Sequence, residues 1–393
     1  MSIQQNFPAI SPSLNLNFAR SKTLDPRITF ARPSTSGDAT YMDANGLIVT
    51  AAADEPRFDH KYENGVIKSL GLLVEEQRSN LITYSDQLNE QSNWVDSGTS
   101  WSDNTIISPD GTQNADDPGF VSERWGFYDD TNSSWISGYP QNYPFTVTSE
   151  WVRHSATITT PSGCTTLRFY PLRSGDDISY IFQRVGVSTS TTYTASAYYK
   201  LADDGTTVIA WGAQLETGAF PTSYIPTTAS TATRNPDNVS ITGDNFSDVY
   251  NQEEGSYKVE GVINGSLPAN TYGGIFGAGG GSSTSNFIFY NPGTSFGQYV
   301  CNTGQSPAST LGKTYTVGSK FKISASYATN DFACSLNGDI STSTTSNALY
   351  KSHTYFRIGS NPISFAVRGA MTISNISYYS KQIKDTQLKT LTK

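Results

Sequence analysis

Five aromatic residues, Trp125, Tyr128, Trp135, Tyr139 and Tyr143, fall within residues 124–145, interleaved with Asp, Asn, Ser and Gln. Aromatic faces stack on the apolar faces of sugar rings, while amides and carboxylates exchange hydrogen bonds with sugar hydroxyls. The mixture therefore suits glycan recognition. It also suits a second role, because Trp and Tyr anchor cores and subunit interfaces. For Trp125, Trp135 and Tyr143 the sequence leaves both readings open.

Other clusters carry less chemistry. Glu75 and Glu76 are adjacent, and neighbours on a strand point to opposite faces, so ion pairs to an arginine such as Arg57 or Arg78 are expected rather than paired acid–base work. The Gly-rich run 272–281 lacks the Lys-Ser/Thr of a phosphate loop, and no Gly-x-Ser-x-Gly elbow is present. Three cysteines, Cys164, Cys301 and Cys334, give no disulfide framework and read as buried free thiols. His60, His154 and His353 are far apart and show no metal-ligand spacing. No cofactor is expected; a calcium site made of loop carboxylates is the one option left open, without EF-hand spacing. Glycan hydrolysis needs two carboxylates across the scissile bond, and the last domain shows no Glu-x-Asp-x-x-Glu strand, so the expectation is that the chain is not an enzyme.

The elements that would position these residues are strands. The 393-residue chain has 33 Gly, 23 Tyr and 19 Phe with many Ser and Thr, a strand-and-turn composition able to fill real cores. Residues 1–84 hold short apolar pieces between turn signals such as Asn45-Gly46 and Asn64-Gly65. Too poor in apolar residues for a core of its own, this segment should pack on a neighbouring domain or another subunit. Over 85–230 the alternation is of period two: Tyr193, Ala195, Ala197 and Tyr199 share one face, and Ala156 and Ile158 oppose Ser155 and Thr157. A second alternating region spans 235–393, with Phe321, Ile323, Ala325 and Tyr327 on one face and a hairpin turn at Asn337-Gly338. Residues 230–237 read as a linker, and residues 384–391 as a helix turn. The fold class expected is all-β: an extended N-terminal docking segment followed by two jelly-roll β-sandwiches.

A net charge of −8 argues against nucleic-acid binding, which usually needs a basic face. No segment has the length of a membrane helix, so no membrane insertion is expected. The first residues lack a basic and then apolar leader, which places synthesis in a cytoplasm.

Certain motifs carry a resemblance. Leu24–Thr35, Asn45–Ile48, Ala53–Asp59 and Gly71–Ile82 resemble the N-terminal signature of a family of tailed-bacteriophage structural and tail-fibre-like proteins. Trp211–Glu216 followed by Phe220–Pro226 resembles the closing motif of that family's carbohydrate-binding-module-like sandwich. Leu336–Gly338, Phe356–Gly359 and Ile376–Tyr379 are similar to concanavalin A-like (laminin G-like) domains. The resemblance implies a virion appendage: a tail fibre, head fibre or capsid decoration, commonly a homotrimer. Its residues 1–84 would dock to portal, tail or capsid proteins, and host surface polysaccharide would be an outer contact. A lectin-like receptor-binding protein and a glycan-degrading depolymerase are the alternatives. Relative to the family, blocks 118–177 and 178–204 stand in exchanged order, with borders at Asp116-Asp117, Asp176-Asp177 and Asp203-Asp204.

Overall fold

The computed structural model describes residues 8–33, 39–90, 92–101, 106–120, 124–136, 143–144, 147–174, 178–203, 205–265, 267, 273–280, 284–291, 295–302, 309–311, 316–343, 349, 351–362 and 369–393. The protein is all-β, as expected, with half of the chain in strands and short helices only. No helix among the described residues is long and apolar enough to cross a membrane.

Two sandwiches carry the bulk of the chain. In the middle one, a larger sheet orders strands Ser134–Trp135, Arg124–Asp129, Thr166–Arg173, Tyr180–Gly186 and Trp94–Ser97, with Tyr143–Pro144 also on Arg124–Asp129. It faces a smaller sheet of Val152–Thr159, Thr192–Leu201 and Val208–Thr217. Alternation places Tyr193, Ala195, Ala197 and Tyr199 inward, against Trp125, Phe127, Leu167, Phe169 and Ile181 of the larger sheet. Blocks 118–177 and 178–204 each contribute to both sheets: Arg124–Asp129 and Val152–Thr159 come from the first, Tyr180–Gly186 and Thr192–Leu201 from the second. Of the expected borders, Asp176, Asp177 and Asp204 lie outside the described residues.

In the C-terminal sandwich, one sheet runs in the order Asp339–Ser343, Asp331–Leu336, Lys320–Ala328, Gly255–Ile263, Ala370–Tyr379, Val66–Glu75 and Arg57–Glu63, and Leu14–Asn17 also pairs with Ala370–Tyr379. The facing sheet begins Thr29–Ala31, Asn238–Thr242, Tyr355–Ile358 and Gly273–Gly280. Strands from the first 84 residues are thus built into this sandwich, and their apolar residues Leu14, Leu16, Phe58, Leu72 and Val74 enter its core. Asn337 (φ 47°) and Gly338 (φ 89°) make the hairpin turn, and Asn64 and Gly65 make another, because both positions need positive φ. The closing helix is Asp385–Leu391, with Leu388 buried. Cys164 and Cys334 are free and buried.

The two sandwiches meet at a buried ionic network. Arg57 pairs with Glu75 (2.8 Å) and Asp237 (2.6 Å), Arg32 with Asp237 (3.0 Å), and Arg234 with Glu75 (3.1 Å). Ser223 donates from its backbone N–H and its hydroxyl to Glu75, each at 2.7 Å. Residues 230–237 are therefore strapped in place: Ala232–Arg234 pairs with Arg78–Asn80, and Arg234 and Asp237 are fully buried. Glu76, just past the end of the strand, pairs instead with Arg78 (2.5 Å). Burial alone would raise the Glu75 carboxyl, but the Arg234 and Arg57 charges and the Ser223 hydrogen bonds hold it at about 2. Asp116 shows the opposite balance: burial pushes its carboxyl up to about 7, against the hydrogen bond from the Leu88 N–H.

Removing one partner from a buried network strands the others, a loss of about 3–5 kcal/mol. Asp237→Ala should lose that much, read as a fall in the urea midpoint. For Asp116 the folded carboxyl is raised, so its contribution is complete below pH 3.8 and is lost as pH rises through about 7. Asp116→Asn should abolish that decline, on the order of 4 kcal/mol across the window, so melting curves of variant and parent should diverge from pH 5 to pH 8. A constant difference at both pH values would refute this.

Candidate functional site

The outer face of the larger middle sheet gathers aromatic rings and guanidinium groups. It is built by alternation on three adjacent strands. Within Arg124–Asp129, Trp125 and Phe127 point into the core and Tyr128 points out. Within Thr166–Arg173, Leu167 and Phe169 point in, leaving Arg168 and Tyr170 outside. Within Tyr180–Gly186, Ile181 and Val185 point in, leaving Tyr180, Phe182 and Arg184 outside.

A tight hairpin brings Trp135 onto this face. Asp129 holds the turn by accepting the N–H groups of Thr131 (3.0 Å) and Asn132 (2.9 Å) and the Asn132 side-chain amide (2.7 Å). Ser133 takes a left-handed conformation (φ 51°), and Trp135 then pairs with Tyr128 across the strands. The Trp135 ring meets Tyr128 edge-on at 5.2 Å and Tyr170 at 5.4 Å. Tyr170 continues the bed to Phe182 (4.9 Å) and Tyr180 (5.9 Å). Gly126 makes room: a Cβ there would lie 2.9 Å from the Trp135 ring and 3.3 Å from Tyr170.

Arginines lie across the rings. Arg173 sits 4.0 Å over Trp135, Arg168 5.1 Å from both Tyr128 and Phe182, and Arg184 5.1 Å over Phe182. Asp130 clamps two of them, meeting Arg168 closely and Arg184 at 2.8 Å. The Arg168 hydrogen bond holds the Asp130 carboxyl below its usual range, and the same bond raises Arg168. Among the described residues this face carries the guanidinium groups of Arg168, Arg173 and Arg184 and the carboxylate of Asp130. Tyr170, Phe182 and Arg173 are buried, so the groups this face offers a ligand are the rings of Tyr128, Trp135 and Tyr180 and the donor forks of Arg168 and Arg184.

The sequence candidates divide. Tyr128 and Trp135 come together here, each partly exposed. Trp125 does not: it is 1% exposed, packed 5.7 Å from Tyr199 and 6.1 Å from Phe169, so it is a core anchor and cannot stack on a ligand. Tyr143 lies on a strand in register with Trp125, its side chain outside what is described, and Tyr139 lies outside the described residues. Tyr170, Tyr180, Phe182 and the arginines were missed. The signal was present in the two-residue spacing of Arg168 and Tyr170 and of Tyr180, Phe182 and Arg184. Among the described residues no three His, Cys, Asp or Glu side chains gather as metal ligands.

Fold and face define an all-β protein of two sandwiches with an aromatic, arginine-rich sheet surface. No protein-family model matches the chain, and no curated protein matches it in sequence. Solved structures do. The Ruminococcus gnavus IT-sialidase CBM40 bound to alpha2,3 sialyllactose is 14% identical with a TM-score of 0.32, covering 38% of this chain and 88% of that one. A Trypanosoma rangeli sialidase in complex with 2,3-difluorosialic acid is 11% identical with a TM-score of 0.32, covering 61% of this chain and 52% of that one. The leech intramolecular trans-sialidase is 15% identical with a TM-score of 0.32, covering 38% of this chain and 24% of that one. Likeness at this level assigns neither ligand nor activity. The expectation that the chain is not an enzyme is nonetheless corrected: sialidases stand among the structures it is similar to, and the exclusion is withdrawn.

Gly126→Ala should force the Trp135 ring off the sheet and cost about 1–3 kcal/mol of stability, as small-to-large changes in packed sites do. Quenching of tryptophan emission by iodide should rise relative to the parent. Unchanged quenching would show that Trp135 does not rest on Gly126.

Proposed function

We propose that the chain is a structural appendage of a bacteriophage particle that contacts a host surface glycan through the outer face of its larger middle sheet. The observation that carries the glycan part is the group of Tyr128, Trp135 and Tyr180 beside Arg168 and Arg184, all open to solvent at least in part and resting on the buried rings of Tyr170 and Phe182. Rings of this kind accept sugar faces, and guanidinium forks donate to hydroxyls and carboxylates. Carboxylate-bearing glycans suit the half-exposed Arg184 guanidinium best.

The N-terminal motifs support the particle part. In this reading the chain is a homotrimer in the virion, and residues 1–84 also meet neighbouring virion proteins. The hairpin at Asn64-Gly65 suits such a contact, since it carries Tyr62 and Val66, each 55% exposed. Calcium is not required by this reading.

The test is binding of the full chain to polysaccharide purified from the host surface. Trp135→Ala should weaken it about tenfold, the effect of removing one aromatic anchor, and Arg184→Ala should weaken binding to carboxylated polysaccharide more than to neutral. Equal binding by parent and Trp135→Ala, with both folded, would overturn the assignment of this face.

A further inference from the structure

A second polar site lies away from the aromatic face. Where the N-terminal segment meets the middle sandwich there is a cavity of about 210 Å³, lined in part by Tyr41, Asp59, His60, Arg153, Tyr198 and Tyr224. Its walls are aromatic: Tyr198 and Tyr224 flank Trp211 at 5.7 and 4.6 Å. Its charged groups are of both signs, and Asp59 and Arg153 are not paired with each other. Arg153 gives its two terminal nitrogens to neutral acceptors, the Thr222 carbonyl (2.6 Å) and the Ser196 hydroxyl (2.8 Å), and its guanidinium lies 5.4 Å from the Tyr198 ring. Asp59 accepts the Met42 N–H at 2.9 Å. Among the described residues neither Arg153 nor Asp59 has an ion-pair partner within 4 Å. An arginine and an aspartate thus line one cavity without closing on each other.

We propose that this cavity binds a small neutral polyhydroxylated molecule, a single sugar ring or similar polyol, held between Asp59 and Arg153 against the tyrosine walls. Hydroxyl groups both donate and accept, so one ligand can give a hydrogen bond to Asp59 and take one from Arg153. Glu75 is already matched by Arg57 and Arg234, which leaves Asp59 and Arg153 as one carboxylate and one guanidinium facing the occupant, so charge balance disfavours a free anion and a bare cation alike. The volume is below the ~300–1,000 Å³ of drug-sized sites, which limits the occupant to about one ring. Burial raises the Asp59 carboxyl to about 6, so near neutral pH it is an acceptor poised to be stabilised by a hydroxyl donor.

The experiment titrates the full chain with glucose, galactose, N-acetylglucosamine and glycerol, following the melting temperature and, in soaked crystals, the cavity density. At least one of the four should raise the melting temperature saturably. Asp59→Asn, which keeps an acceptor for Met42, and Arg153→Met should each weaken that response about tenfold, the effect of losing a hydrogen bond to a charged group. Trp135→Ala should leave it unchanged, which separates this site from the aromatic face. No saturable response from any of the four, a response lost in Trp135→Ala but kept in Asp59→Asn, or soaked crystals with only water between Asp59 and Arg153 would overturn the proposal.

Discussion

The buried network of Arg32, Arg57 and Arg234 with Glu75 and Asp237 fixes how the rest of the chain is arranged. Its members come from the N-terminal segment and from residues 230–237, and Ser223 ties in the loop that closes the middle sandwich. Such pairs add little net stability over apolar packing, because desolvating the ions offsets their attraction. What they supply is exclusivity: slide either sandwich against the other and a charge is left buried without a partner. Asn80, Gln214 and Glu216 extend the same logic with hydrogen bonds. Asn80 donates to the Ala213 and Ile225 carbonyls (3.2 and 3.0 Å), Gln214 accepts the Ile225 N–H (2.7 Å), and Glu216 accepts the Thr222 N–H (3.0 Å).

This explains which parts of the sequence stood out. The runs Leu24–Thr35, Ala53–Asp59, Gly71–Ile82, Trp211–Glu216 and Phe220–Pro226 contain Arg32, Arg57, Glu75, Asn80, Gln214, Glu216 and Ser223, residues that build the junction. Each needs a particular functional group at a particular place, so it leaves a residue-level mark. Strand alternation was legible for the same kind of reason, since period two decides what is buried. So was the pairing of Glu75 and Glu76 to different arginines. The assignment of residues 230–237 as a linker missed that Arg234 and Asp237 are buried, because composition does not reveal a partner far away in sequence.

The aromatic segment was read less well, and parity shows why. Positions 125 and 128 differ by an odd number, so on one strand they cannot share a face. Grouping Trp125 with Tyr128 as neighbours in sequence mixed a core anchor with a surface ring. Trp135 rejoins Tyr128 only because the Asp129 turn folds the chain back, and the rest of the bed comes from strands some forty residues further on. A face assembled across strands appears in sequence as several short alternations, none conspicuous alone. Arg168 and Tyr170 are unremarkable until Tyr180, Phe182 and Arg184 lie beside them.

The same reasoning bears on the order of blocks 118–177 and 178–204. What a sandwich requires of a strand is an apolar face of the right parity and an edge to pair with; the route by which the chain arrives is secondary. Thr192–Leu201 lies between Val152–Thr159 and Val208–Thr217, and Tyr180–Gly186 lies between Thr166–Arg173 and Trp94–Ser97. Either block order leaves those faces intact and alters only the connections. The connections, however, set which loops flank the aromatic bed. Reordering of the blocks would therefore spare the core and act on the rim of the aromatic face, where loops can vary without loss of the fold.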